Sequence, residues 1–199
     1  MEYLLRANLL AAPTVWTQVS NWFIDLEQSH TSFPALSYFP TQVEGQSWVA
    51  SFGTVLDSAA LLLATSGLFD LQRSSGPTMA LAYGIPALGR IGPAASIPVV
   101  SVPILADLTG RWDEAPPAIS IQRDEFDRVC WGLVTREVVA AVDLDEAWRR
   151  FAWMRSGYDS VLRALSGLTG ATPAEWTTDR PVHVGRPDLI GQHPLKVIW

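Results

Sequence analysis

The sequence predicts an all-α helical bundle of about six helices, with a proline-rich strap and a loosely packed C-terminal tail. Three observations predict it. Apolar residues recur at three- and four-residue spacings, the period of a helix with one buried face. Helix punctuation brackets those stretches, with Ser47, Pro77 and Asp143 near starts and Gly67, Gly92, Gly167 and Gly170 near ends. The period-two alternation of a half-buried strand is almost absent. Elements of this kind bury their faces by packing helix upon helix.

Taken in order, residues 3–12 predict a short apolar helix closed before Pro13. Residues 14–30 predict a second, with Trp16, Val19, Phe23 and Leu26 on one face. Phe33-Pro34 begins a linker, and Pro40 to Gln46 forms a loop. Ser47 or Gln46 opens a helix that ends near Ser66-Gly67. One side of it is small and polar around Ala50, Thr54, Asp57 and Ser58, with Leu61. The other side carries Trp48, Val49, Phe52, Val55, Leu56, Ala59, Leu62 and Leu63. Trp48 to Phe69 is long enough to cross a bilayer. A central Asp57 costs roughly 2.5–3.5 kcal/mol on insertion scales, so the stretch reads as an amphipathic core helix.

Residues 70–76 read as a polar loop. A helix follows from about Pro77 to Gly92, bending or stopping near Pro86. Residues 93–120 form the strap, in which Pro98 and Pro103 keep 97–105 out of a central strand. Its Ala115-Pro116-Pro117 end is the candidate hinge. Gln122 to Val142 is the next helix, with Asp124 and Glu125 near its positive end. Asp143 caps the last long helix, which runs to about Leu168, with Glu146 placed as in a capping box. Its apolar face runs through Leu144, Ala147, Trp148, Phe151, Met154, Tyr158, Val161, Leu162 and Leu165. The organisation is one helical domain over 1–170, with 171–199 as a Pro-, Gly- and Trp-rich tail packed on it.

Composition narrows the function classes. A chain of 199 residues that is 48% hydrophobic and 17% charged buries a full core without disulfides or metal. A net charge of −6 and a single lysine, Lys196, leave little with which to track phosphates, so no nucleic-acid partner is expected. Cys130, the single cysteine, excludes an internal disulfide. Glu2 and Arg6 break the pattern of a secretory signal, and no lipidation motif is present. The expected location is cytoplasmic, with no membrane span in this chain.

Candidate chemistry is sparse. Glu27-Gln28-Ser29-His30 has the Glu-x-x-His spacing that supplies half of a di-iron site. Neither His183 nor His193 repeats it, so Glu27 and His30 read as a polar pair near a helix C-terminus. Gly84 to Arg90 has the glycine spacing of a phosphate loop without its Lys-Ser/Thr, and reads as small residues that let helices approach. Cys130 has no neighbouring base in sequence and reads as a buried inert thiol. No Gly-x-Ser-x-Gly elbow occurs.

Asp57 and Arg90 are the two charges inside apolar helices, and a buried Asp57–Arg90 pair would account for both. Trp16, Trp48, Trp131, Trp148 and Trp153 read as core or interface anchors. Trp112, Trp176 and Trp199 fall in loops or the tail and are the candidates for docking a partner.

A series of short patterns resembles a known family. Asp25-Leu26-Glu27-Gln28-Ser29-His30-Thr31-Ser32-Phe33-Pro34-Ala35-Leu36-Ser37-Tyr38-Phe39 is followed by Gln46-Ser47-Trp48-Val49 and Val55-Leu56-Asp57-Ser58-Ala59-Ala60-Leu61. Glu125-Phe126-Asp127-Arg128-Val129, Ala147-Trp148-Arg149-Arg150-Phe151, Arg155, Tyr158 and Trp176 continue the series. Together they resemble the soluble C-terminal region of bacterial potassium-channel family proteins of the two-transmembrane type. The likeness spans most of residues 14–180 and rests on no catalytic signature.

The resemblance implies a non-enzymatic regulatory domain that self-associates or packs on a membrane channel module. Two departures limit it. The Thr-x-Gly-Tyr/Phe-Gly filter loop is missing, so no pore residue carries over. Ala82-Tyr83-Gly84 stands where the family has a charged Ala-Arg-His segment. The rival readings are a metal or small-ligand protein centred on Glu27, His30 and Asp57, and a ligand sensor using the Trp-rich interior. No cofactor is implied.

Overall fold

The computed structural model describes residues 13–39, 47–65, 75–98, 105–135 and 143–170. The short helix expected at 3–12 and the tail, with Trp176, Trp199, His183 and His193, lie outside the described residues. The fold class is as the sequence predicts. An all-α bundle is built from α1 (Pro13–Ser32), α2 (Trp48–Thr65), α3 (Ser75–Ala94), α4 (Leu105–Thr109), α5 (Arg123–Thr135), α6 (Leu144–Ser156) and α7 (Asp159–Thr169). A 3₁₀ turn, Pro34–Tyr38, follows α1.

α1 lies along α3, and α2 packs on α3, α6 and α7. Glycines on α3 set how close α1 comes. A Cβ at Gly76 would sit 2.4 Å from Trp16 Cδ1, and one at Gly84 2.9 Å from Phe23 Cε2. The small-residue reading of Gly84 is what the packing uses.

α2 departs from its expected amphipathic form. Asp57, Ser58 and Leu61 on its polar side are buried together with Val49, Phe52, Leu56, Leu63 and Ala64. A helix buried over most of its surface must find internal partners for its polar groups. Ser58 and Thr54 hydroxyls do so by donating to the carbonyls one turn back (2.7 and 2.9 Å). α2 is long and apolar enough to cross a membrane by length and composition, but 67% of that stretch is buried inside the bundle.

α3 runs through Pro86 rather than stopping there. Pro86 has no N–H for the Ala82 carbonyl, and Ala82 is exposed, so water can serve that acceptor. α3 ends in a Schellman motif. Ser96 takes φ 61°, Ile97 N–H donates to Gly92 O (2.9 Å) and Ser96 N–H to Pro93 O (3.0 Å). The strap then contributes the single-turn α4 and a segment over α6, where Trp153 Nε1 donates to the Glu114 carbonyl (3.2 Å).

The long helix expected from Asp143 to Leu168 is two helices. Asp143 caps the first as expected, its carboxylate accepting from Asp145 and Glu146 N–H (2.9 and 3.2 Å). The break falls at Gly157-Tyr158, where Tyr158 has φ −137°. A Cβ at Gly157 would lie 2.7 Å from Leu108 Cδ1, so this glycine admits α4 against the α6–α7 corner. α7 closes at Gly170, φ 63°, as its glycine predicts.

Candidate functional site

A buried polar cluster grows from Asp57, which the bundle buries to 2% exposure. Arg155, 5% exposed, reaches it from α6, and its Nη1 donates to Asp57 Oδ1. Tyr158, at the α6–α7 corner, donates its phenol to the same oxygen (2.8 Å). Asp159 at the start of α7 accepts from Arg155 Nε (2.9 Å), from Ser120 Oγ (2.6 Å) and from Ser120 N–H (3.1 Å). The cluster ties α2, the strap, α6 and α7 together.

Burial works against the charge of Arg155, but the negative charges of Asp57 and Asp159 and the hydrogen bond to Asp57 outweigh it and raise its pKa above that of an ordinary arginine. Burial, then the Asp57 charge, pushes the Tyr158 phenol well above the usual tyrosine range, so it remains a donor. Donors and acceptors face one another throughout. The arrangement is a clamp that fixes how four segments meet.

The expected Asp57–Arg90 pair does not form. Arg90 is exposed and makes a two-pronged pair with Glu27 across α1 and α3, its Nη2 donating at 2.7 Å. It stands on the α1 side of α3, whereas Asp57 turns toward α6 and α7. Sequence reasoning passed over Arg155 as the partner. The available signal was its place four residues after Phe151 and seven after Trp148, a charge within the apolar stripe.

Glu27 and His30 do not pair either. With Glu27 held by Arg90, His30 turns inward. Its Nδ1 lies 3.0 Å from the Leu26 carbonyl and 3.1 Å from Ser29 Oγ, and its ring centroid is 4.5 Å from that of Trp48. Asp57 is nine residues beyond Trp48 on α2, about 13 Å by helical rise, so Glu27, His30 and Asp57 form no common centre. Among the described residues no group of three His, Cys, Asp or Glu side chains could hold a metal ion.

Burial lowers the His30 pKa below 6.5, against the raising pull of the Leu26 carbonyl. The unfolded chain therefore takes up a proton that the folded chain refuses. The contribution to stability is full above 6.5 and is lost as pH falls from there toward the folded pKa. Between about pH 7.5 and about pH 5.5, the urea midpoint of the protein is expected to fall more steeply than that of His30→Phe. Parallel slopes would remove His30 as the cause.

Cys130 is buried on α5, and burial followed by the charge of Asp127 pushes its thiol up to about 12, so it is not a nucleophile near neutrality. Trp112, a docking candidate from sequence, is half-buried against the core with the Arg150 guanidinium 5.3 Å from its ring centroid. Trp131, read as an anchor, is 64% exposed on α5. Phe33 and Phe39, at the flanks of the 3₁₀ turn, are 68% and 66% exposed.

Comparison of the chain with protein-family models, with curated proteins and with solved structures finds no match in any of the three. The reading of function therefore rests on the residues themselves.

Proposed function

We propose that this chain is a non-enzymatic helical interaction domain, of the kind that forms the cytoplasmic part of bacterial two-transmembrane potassium-channel family proteins. There it would pack on a channel module or on another copy of itself and regulate gating. One observation carries this reading. The pattern that bears the resemblance, His30-x-x-Phe33-Pro34-x-Leu36-x-x-Phe39, divides sharply by exposure. Within it His30 and Ser37 are buried, while Phe33, Leu36 and Phe39, at every third position, are exposed. The buried members anchor the turn, and Tyr38 pins it further by donating to the Ala95 carbonyl (3.1 Å). The exposed members leave apolar side chains in solvent on a turn held in place, and exposed apolar surface marks contact sites where it is contiguous. The buried charges support the same reading, since Asp57, Arg155 and Asp159 are engaged in holding the bundle.

Sedimentation across a concentration series tests it, alongside the reading frame upstream of the first codon. Expected are a pore module in that frame and association of the domain that Phe33→Ser/Phe39→Ser lowers at least tenfold with unchanged helicity. A monomer at every concentration, with no pore module upstream, sinks the proposal.

A further inference from the structure

Between the turn that follows α4 and the first two turns of α6 lies an open cavity of about 180 Å³. It is lined by the Thr109–Gly110 turn, Trp112 and Asp113 on one side and by Glu146, Arg149 and Arg150 on the other. Its charges are of two kinds. Glu146 and Arg150 satisfy each other one helical turn apart, and Arg150 also lies over the Trp112 ring. Asp113 and Arg149 are different. Both are exposed, and neither makes a hydrogen bond or an ion pair among the described residues. One cavity thus presents a carboxylate and a guanidinium that no hydrogen bond or ion pair engages, and an indole; the Arg149 charge is felt at a distance by Asp143, outside the lining.

The four charges of the lining, from Asp113, Glu146, Arg149 and Arg150, sum to zero. A lone anion would meet two carboxylates there, and a lone cation two guanidiniums. A molecule carrying both charges meets a complement for each. The volume is below the roughly 300–1,000 Å³ of sites for drug-sized ligands, which limits the occupant to a small metabolite.

We propose that this cavity binds a small zwitterion, a free α-amino acid with an apolar side chain. Its carboxylate accepts from the Arg149 guanidinium, a geometry suited to paired N–H donors. Its ammonium donates to the Asp113 carboxylate. Its side chain lies on the indole of Trp112. Occupancy would bridge the strap to α6, since the two charged contacts come one from each. This proposal is independent of the docking edge at Phe33 and Phe39.

Calorimetric titration of the full chain with L-leucine, L-leucinamide and 4-methylpentanoate tests it. The amide lacks the carboxylate, and the acid lacks the ammonium. Leucine is expected to bind, with both analogues at least about tenfold weaker. Arg149→Gln is expected to abolish the preference for leucine over leucinamide. Asp113→Asn is expected to abolish the preference over 4-methylpentanoate. Both positions are exposed, so unchanged thermal midpoints of the unliganded variants will show that the fold is intact. No heat from leucine or phenylalanine at millimolar concentration overturns the proposal. So does equal binding of 4-methylpentanoate with indifference to Asp113→Asn, which would leave an anion site only.

Discussion

Arg155→Met is expected to destabilise the fold by about 3–5 kcal/mol, because it leaves the Asp57 carboxylate in the core without its counter-charge. Asp57 is 2% exposed, so water cannot take the place of the guanidinium. The same change removes the donors to Asp159 and Ser120, loosening the strap where it meets α7. Asp57→Leu/Arg155→Met is expected to recover most of the loss, since removing both partners of a buried pair spares the protein an orphaned charge. Urea unfolding followed by tryptophan fluorescence gives both values. A loss below about 1 kcal/mol for Arg155→Met would place the pair among weak surface bridges and contradict the clamp.

Phe23→Ala carries the second large effect, about 3–5 kcal/mol. Phe23 is fully buried, with its ring centroid 4.2 Å from that of Phe52 and 5.3 Å from that of Trp22. Behind it stands Gly84, whose missing side chain makes the space the ring fills. Alanine leaves a cavity that α3 cannot close from a glycine. Phe33→Ala is the matching control, the same substitution at a side chain 68% exposed, with an expected change within about 0.5 kcal/mol. Similar losses at both positions would show that exposure does not separate the core phenylalanine from the docking one.

How much of this was legible in the sequence follows from the range of each interaction. The helix of residues 14–30 and the cap at Asp143 are local matters. Spacing and one carboxylate decide them, and the structure has both. The need for glycine at 157 was not legible, because the space it leaves is taken by Leu108 from another element. The continuation of α3 through Pro86 was half legible. The proline announced a lost hydrogen bond, but only the exposure of Ala82 shows that the loss is tolerable.

The candidate residues divide in the same way. Asp57 was conspicuous as a charge in an apolar helix, and burial confirms that it needs a partner. Choosing between Arg90 and Arg155 required knowing which helices flank α2. Arg90 faces α1 and Glu27, while Arg155 faces α2. The tryptophans taught the complement of this. Their number pointed to anchors, yet Trp131 is exposed and Trp112 is packed, because burial of a side chain depends on what lies opposite it.

By itself, then, the sequence determined the all-helical class, most helix starts and ends, the inert character expected of Cys130 and the presence of one unusual buried acid. Hydrophobic period, capping groups and backbone restrictions act within a few residues, so a linear reading captures them. The tertiary structure alone decided that both sides of α2 are buried, that Asp57 is held by Arg155 and Tyr158, and that Asp113 and Arg149 share a cavity. Those outcomes depend on which surfaces meet across the bundle, between residues as many as 101 positions apart.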